Sequence, residues 1–386
     1  TDRIRIADLL GWPSDFGAWG RLLTWALDHA AEMPDACLPD LVALFMTWQV
    51  PLMDLPNPIS RRIVDQCAVW LHAIEDVRAS PRWYSADEEG PEAPAVRAPS
   101  GLDSELRSLV LRAARCFPEV VRAYLVKIEP IERFKESSFQ EVMSHAPLLA
   151  QTHPELLAQV ARRSFLNELP DDQASRGRQE SRDRAARIAA IRAKPEAERT
   201  RNEQRALDHL PMSIISGRSF SNHDWDRLSI GGDLQGYFPA SPMREPFYAL
   251  LTHAPAVGLA LVRDLANHAA LAWRQLHRHT RRGGTPAPLV LAFPWGRQDF
   301  WGGAHHYVWA RGHGGPNAVQ CATMALERWA LGQLSSGQPA TEVLREVVEG
   351  HSSVAVLSVA MLVALRSREV SVVSLPLVAS HRLWRL

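Results

Sequence analysis

One short phrase recurs along this chain and restricts its folding more than any other feature: Phe117-Pro118-Glu119-Val120-Val121, then His153-Pro154-Glu155-Leu156-Leu157, and more loosely Ala254-Pro255-Ala256-Val257-Gly258. Proline has φ fixed near the helical value and lacks the N–H that a first turn leaves unpaired, so each phrase predicts a helix start. Twice a glutamate follows, where its charge meets the positive end of the helix dipole. Apolar residues at i, i+3, i+4 spacing then continue after each proline. The second and third phrases are preceded by APLLAQTH and PFYALLTH, each read as a short apolar helix ending at Thr-His. Helix, tight turn at proline, helix is one α-hairpin. Such units in series predict an all-α chain, either a HEAT- or TPR-like hairpin stack or an irregular helical bundle.

The segments around these phrases divide the chain. Residues 1–79 read as an N-terminal helical bundle broken by Pro34, Pro39, Pro51 and the turn Pro56-Asn57-Pro58, after which Ile59, Ile63, Cys67, Trp70, Leu71 and Ile74 repeat at helical steps. Residues 80–100, rich in proline and acid, are a linker that cannot bury enough apolar area to fold alone. Residues 101–169 form a helical-repeat segment. Residues 170–210 are a charged helix or linker, interrupted near Pro195, whose interleaved Arg, Asp and Glu support a solvated helix. Residues 211–386 make a C-terminal domain, loop-rich at first and then helical, with Ser353 to Leu365 apolar all round and therefore buried on both sides.

Zero net charge, from 43 basic and 43 acidic residues, gives no global basic field, so nucleic acid is not an expected partner. An arm clamping phosphate through Arg176, Arg178, Arg182, Arg184 and Arg187 is the competing possibility for the charged helix. Lysine occurs only at Lys127, Lys135 and Lys194, far from any glycine-rich loop, and no P-loop, GxGxxG, HExxH or GxSxG motif occurs. No catalytic residue and no cofactor are therefore assigned. The four cysteines are widely spaced and predict buried thiols in a reducing compartment. Without a signal peptide or an apolar run long enough to span a bilayer, a cytoplasmic location and no membrane partner are expected. Arginine in place of lysine and abundant alanine point to a GC-rich bacterial genome, and a start without a disordered lead to a segment of a longer chain.

The most distinctive stretch runs from Ala292 to Ala330 and packs Trp295, Trp301, Trp309 and Trp329, two glycine pairs and His305, His306 and His313 into one span. It predicts a glycine-rich aromatic loop feeding a helix that starts at Pro316-Asn317. Arg311 precedes the glycine loop and Glu327 sits on an otherwise apolar helix face. A buried Arg–carboxylate pair pinning loop to helix would account for both. The histidines, with Cys321, match no structural-zinc spacing. Asp224 and Asp226, flanking Trp225, are read as turn formers, with an acid–base pair as the alternative.

Several motifs in this half carry a resemblance. Pro246, Phe247, Leu250, Leu251 and Pro255 are followed by Tyr307-Val308-Trp309-Ala310-Arg311-Gly312, then Gly315-Pro316 with Met324-Ala325-Leu326-Glu327-Arg328-Trp329, then His351-Ser352-Ser353-Val354-Ala355. In this order they resemble the helical sensor region of large bacterial STAND-type NTPases, including antiphage defence NTPases. The resemblance implies a sensing or coupling segment whose nucleotide chemistry lies elsewhere on a parent chain. The leading expectation is a non-catalytic scaffold that presents Trp301, Tyr307, Trp309, Arg311 and Trp329 to a protein partner or to other domains. The competing expectation is a hydrolase or metal-dependent enzyme built from His305, His306, Asp224 and Asp226.

Overall fold

A computed structural model describes residues 16–54, 56–79, 101–130, 136–208, 228–231, 237–278 and 287–385. The linker expected at 80–100, and Asp224 and Asp226, lie outside them. The described chain is mostly helical, with one small two-stranded sheet. It divides into two compact units, one of residues up to Ser164 with Glu245–Gly258, the other of Phe165–Arg244 with Leu259–Leu386. The expected N-terminal bundle and residues 101–164 of the expected repeat segment fall in one unit, and residues 165–169 in the other.

In the first unit, α1 (Phe16–Asp28) buries Trp19, Leu23, Ala26 and Leu27, one face at three- and four-residue steps. Next come α2 (Leu38–Met46), opened by Pro39, and α3 (Gln49–Asp54). α4 (Pro58–Ala79) is capped by Asn57, whose Oδ1 accepts the Ser60 N–H at 2.8 Å. Ile63, Val64, Cys67, Leu71 and Ile74 of α4 are buried, and α4 packs on α5 (Leu102–Arg112). The three recurrent prolines do open helices: α6 (Pro118–Ile128), and, after α7 (Glu136–Ser144) and α8 (Ala146–Thr152), α9 (Pro154–Phe165).

In the second unit, α10 (Pro170–Ala193) ends just before Pro195 and buries only Ile191, and α11 (Arg201–Asp208) follows. α12 (Phe247–His253) returns to the first unit and lies against α8. α13 (Pro255–His277) is the third proline-opened helix, with its first turn in the first unit and the rest in the second.

The residues before the three prolines share one backbone conformation. Phe117 has φ −136° and ψ 62°, His153 −142° and 53°, Ala254 −143° and 69°. Proline excludes the helical region for its predecessor, so each corner stops one helix and sets the direction of the next. The buried His153 also ties one corner to the one before it, its Nε2 lying 2.8 Å from the Pro118 carbonyl oxygen. At the third corner the helices come closer still, since a Cβ on Gly258 would lie 2.6 Å from the Leu251 amide nitrogen.

A hairpin follows that the sequence reading did not foresee. β1 (Leu289–Phe293) and β2 (Gly296–Phe300) pair antiparallel, Leu289 opposite Phe300 and Phe293 opposite Gly296. Leu289, Leu291 and Phe293 face inward, a period of two hidden within a short apolar run. Trp301 then bridges to the loop before α17 (Ala355–Ser367): its N–H donates to Ser352 O at 2.7 Å and its carbonyl accepts the Val354 N–H at 3.1 Å. Between them lie α14 (Ala304–Tyr307), a 3-10 turn Trp309–Arg311, α15 (Asn317–Ser335) after Pro316, and α16 (Ala340–Val348). α17 is buried around most of its circumference, although Leu365 at its end is exposed. α18 (Leu375–Ala379) closes the unit against β1.

Candidate functional site

The aromatic stretch folds into a corner in the second unit, and its residues separate into interior and surface. Trp309 is fully buried, its indole N–H donating to Gly314 O at 3.1 Å. A Cβ on Gly315 would overlap that indole, so glycine there is a requirement of packing. The Gln320 amide donates to the Gly315 carbonyl, tying the loop to the first turn of α15. Trp329, farther along α15, is 5% exposed. Two of the five expected recognition residues, Trp309 and Trp329, are therefore interior. An indole is large enough to fill a core gap as readily as to mark an interface, and composition does not separate the two.

His306 is also interior. Its ring lies 4.6 Å from Trp309 and 5.3 Å edge-on from Trp273 of α13. Its Nδ1 accepts the Gly303 N–H at 3.2 Å, so Nε2 carries the proton and has no hydrogen-bond partner among the described residues. Burial, with the fields of His277 and His305, pushes its pKa down to about 4. A neutral imidazole held between two indoles is a packing group. His305 and His313 are exposed. Among the described residues no three His, Cys, Asp or Glu side chains converge as a metal site requires. The expected alternative site thus has its histidines apart in environment, one buried and one exposed, and its aspartates outside the described residues.

What remains at the surface is Trp301, Tyr307 and Arg311. Trp301 is half-buried, with the Arg274 guanidinium 4.3 Å above its ring. Tyr307, half-buried, has its pKa raised by burial, against the lowering field of Arg311. Arg311 Nη1 donates to both carboxylate oxygens of Glu327 at 2.5 Å. The pair joins loop to helix, but Arg311 is 46% exposed and Glu327 17%, so it sits at the rim and not in the core. Its remaining nitrogens, Nη2 and Nε, make no hydrogen bond among the described residues.

A second element, part of the loop-rich stretch that opens the C-terminal domain, borders this surface. Residues 237–244 lie across α15: Cys321 Sγ accepts the Ser241 N–H at 3.4 Å and its S–H points to Tyr237 O at 3.7 Å. Burial pushes the Cys321 thiol pKa up to about 11, so it is an inert, protonated anchor. Tyr237 turns inward against Phe165, while Phe238 and Met243 remain 70% and 51% exposed.

The charged helix α10 is solvated, as its composition suggests. Arg176 pairs with Glu168 at 2.7 Å and lies 3.8 Å from Glu180, and Arg178 donates to Ser175 Oγ. No described helix is long and apolar enough to cross a membrane. No model of a known protein family matches this sequence, and no curated protein matches it significantly.

Proposed function

We propose that this chain is a non-catalytic helical scaffold or sensor segment, a HEAT-like series of hairpins that engages a protein partner, or other domains of a longer bacterial NTPase, through the corner around Trp301, Tyr307 and Arg311. The observation that carries this reading is the shared geometry of the proline corners. Three segments use the same backbone turn, and one corner is hydrogen-bonded directly to its predecessor, as expected of a repeat in which each unit leans on its neighbour. Arginine beside half-exposed aromatics is the composition that dominates interface energies. The order of motifs shared with STAND-type sensor regions supports the assignment to nucleotide-controlled assemblies, antiphage ones among them.

Site-specific photo-crosslinking tests it. A benzophenone amino acid placed at Trp301, Tyr307 or Arg311 in the native host is expected to capture a protein or another region of a longer chain, while the same group at buried Trp309 captures nothing. Equal labelling at all four positions, or none at any, would overturn the reading. The complete reading frame is a second check, since a P-loop encoded on the same chain is expected.

A further inference from the structure

We infer that β1 is the contact through which two copies of this chain pair, edge to edge and antiparallel, about a two-fold axis at Leu291. The inference stands apart from the recognition corner, because it concerns the strand of the hairpin that does not lead into Trp301. Opposed residues of an antiparallel ladder alternate between pairs that exchange both hydrogen bonds and pairs that exchange none. The two-residue turn Pro294-Trp295 closes on the Phe293–Gly296 pair, so Leu291–Gln298 and Leu289–Phe300 are the other bonded pairs. The backbone groups of Val290 and Ala292 therefore point away from β2, and those of Arg297 and Asp299 away from β1. Trp301 fixes the same phase: two residues beyond Asp299, its N–H and carbonyl reach outward to Ser352 and Val354.

The two edges differ. On β2 a strand running past Asp299 would meet residues 352–354, already bridged to Trp301, and the side chains at the edge are charged, a common guard against pairing. On β1 the N–H and C=O of Val290 and of Ala292 make no hydrogen bond among the described residues outside the hairpin, and both residues are exposed and uncharged. The open stretch is bracketed symmetrically. Pro288 and Pro294 stand three residues either side of Leu291, neither has an N–H to leave unpaired, and the Pro288 carbonyl is taken by Arg382 Nη1 at 3.1 Å. That symmetry selects the occupant. Rotated about Leu291, a second copy sets Ala292 opposite Val290 and Val290 opposite Ala292, each pair exchanging both N–H···O bonds, and brings proline opposite proline at either end. Zero net charge adds no repulsion between copies. Pairing consumes the open edge of each chain, so the assembly closes as a dimer.

Analytical ultracentrifugation of the purified chain over a concentration series is the test. A short strand edge makes a small interface, so a reversible monomer–dimer equilibrium is expected, with half-association at about 100 μM. Hydrogen exchange should slow at Val290 and Ala292 as concentration rises and stay unchanged at Arg297 and Asp299. Val290→Lys with Ala292→Lys, or Val290→Glu with Ala292→Glu, sets like charges opposite each other across the axis. Each double variant should stay monomeric at unchanged melting temperature, since both side chains are exposed. Mixing the two should restore the dimer, a result that a misfolded variant would not give. A chain still monomeric at about 1 mM, a dimer indifferent to the lysine pair, or species that grow beyond a dimer would overturn the proposal. So would a crosslinker at Ala292 that captures a different protein in the host while the chain remains monomeric. Crosslinks from Trp301, Tyr307 and Arg311 test the recognition corner alone, so either proposal can fail without the other.

Discussion

In the first unit the largest buried polar side chain, Arg107, keeps its charge, whereas the second unit buries His306 and His351, which discard theirs. Arg107 of α5 lies among Glu75, Asp103 and Glu141: Nη2 is 3.0 Å from Glu75 and 3.6 Å from Asp103, Nη1 pairs with Glu141, and Nε donates to Tyr124 Oη at 2.8 Å. Burial by itself would lower the guanidinium pKa, but Tyr124, Glu75 and Glu141 outweigh it and raise it. His351, in the loop before α17, pairs with no carboxylate among the described residues; burial, with Arg263 nearby, pushes its pKa down to about 3. A guanidinium cannot lose its proton and so must be surrounded by acids, while an imidazole meets the same burial by staying neutral. The first arrangement is vulnerable to the loss of a partner. The second is vulnerable to acid.

The sharpest break of this contrast is Arg107→Ala. It leaves several carboxylates facing an interior without their cation, and a loss of about 3–5 kcal/mol is expected from urea denaturation. A change within error would mean the acids relax into water and the charged core is dispensable. Trp309→Ala is the counterpart in the second unit, where an indole removed from a close-packed corner should cost about 3–5 kcal/mol. Hydrogen exchange should place that loss in residues 301–330 and leave α5 protected. An even loss of protection throughout would merge the two regions into one cooperative body.

Acid should distinguish them next. Both imidazoles titrate below their unfolded value of about 6.5, so above that pH neither state binds the proton and stability is at its full value. As pH falls from about 6.5 toward 4 for His306 and 3 for His351, only the unfolded state takes it up, and each contributes a loss of up to about 1.4 kcal/mol per pH unit. Burial also lowers His145 and His153 of the first unit, but the deepest depressions lie in the second, so its protection should decline first, and His351→Leu should flatten the slope. The smallest effect is Glu327→Ala. The pair with Arg311 stands at the rim, and a decrease of about 0.2–1 kcal/mol, read as a slight fall in melting temperature, is expected; a larger fall would place the pair in the core after all.

The same contrast explains what could be read from the chain before its coordinates. Helix starts at Pro118, Pro154, Pro255 and Asn317 were legible because proline and capping act within one turn. The link between Arg311 and Glu327 was legible because an acid on an apolar helix face needs a partner. The orientation of Trp309 and His306 was not, because it depends on Trp273, more than thirty positions earlier, arriving against them. The hairpin of β1 and β2 was hidden for a related reason: Leu289-Val290-Leu291-Ala292-Phe293 suits helix or strand equally, and pairing decides. The Arg107 cluster likewise joins three stretches, around positions 75, 105 and 141, that nothing local connects.

The bond from His153 to the Pro118 carbonyl has a bearing on how the hairpins come apart. A rung latched to the one beneath it lifts away only by giving up that bond between a buried ring and a backbone carbonyl. Residues 118–128 and 154–165 should therefore open as a single block, whereas the third corner, with an alanine where the latch would be, is free to fray on its own schedule.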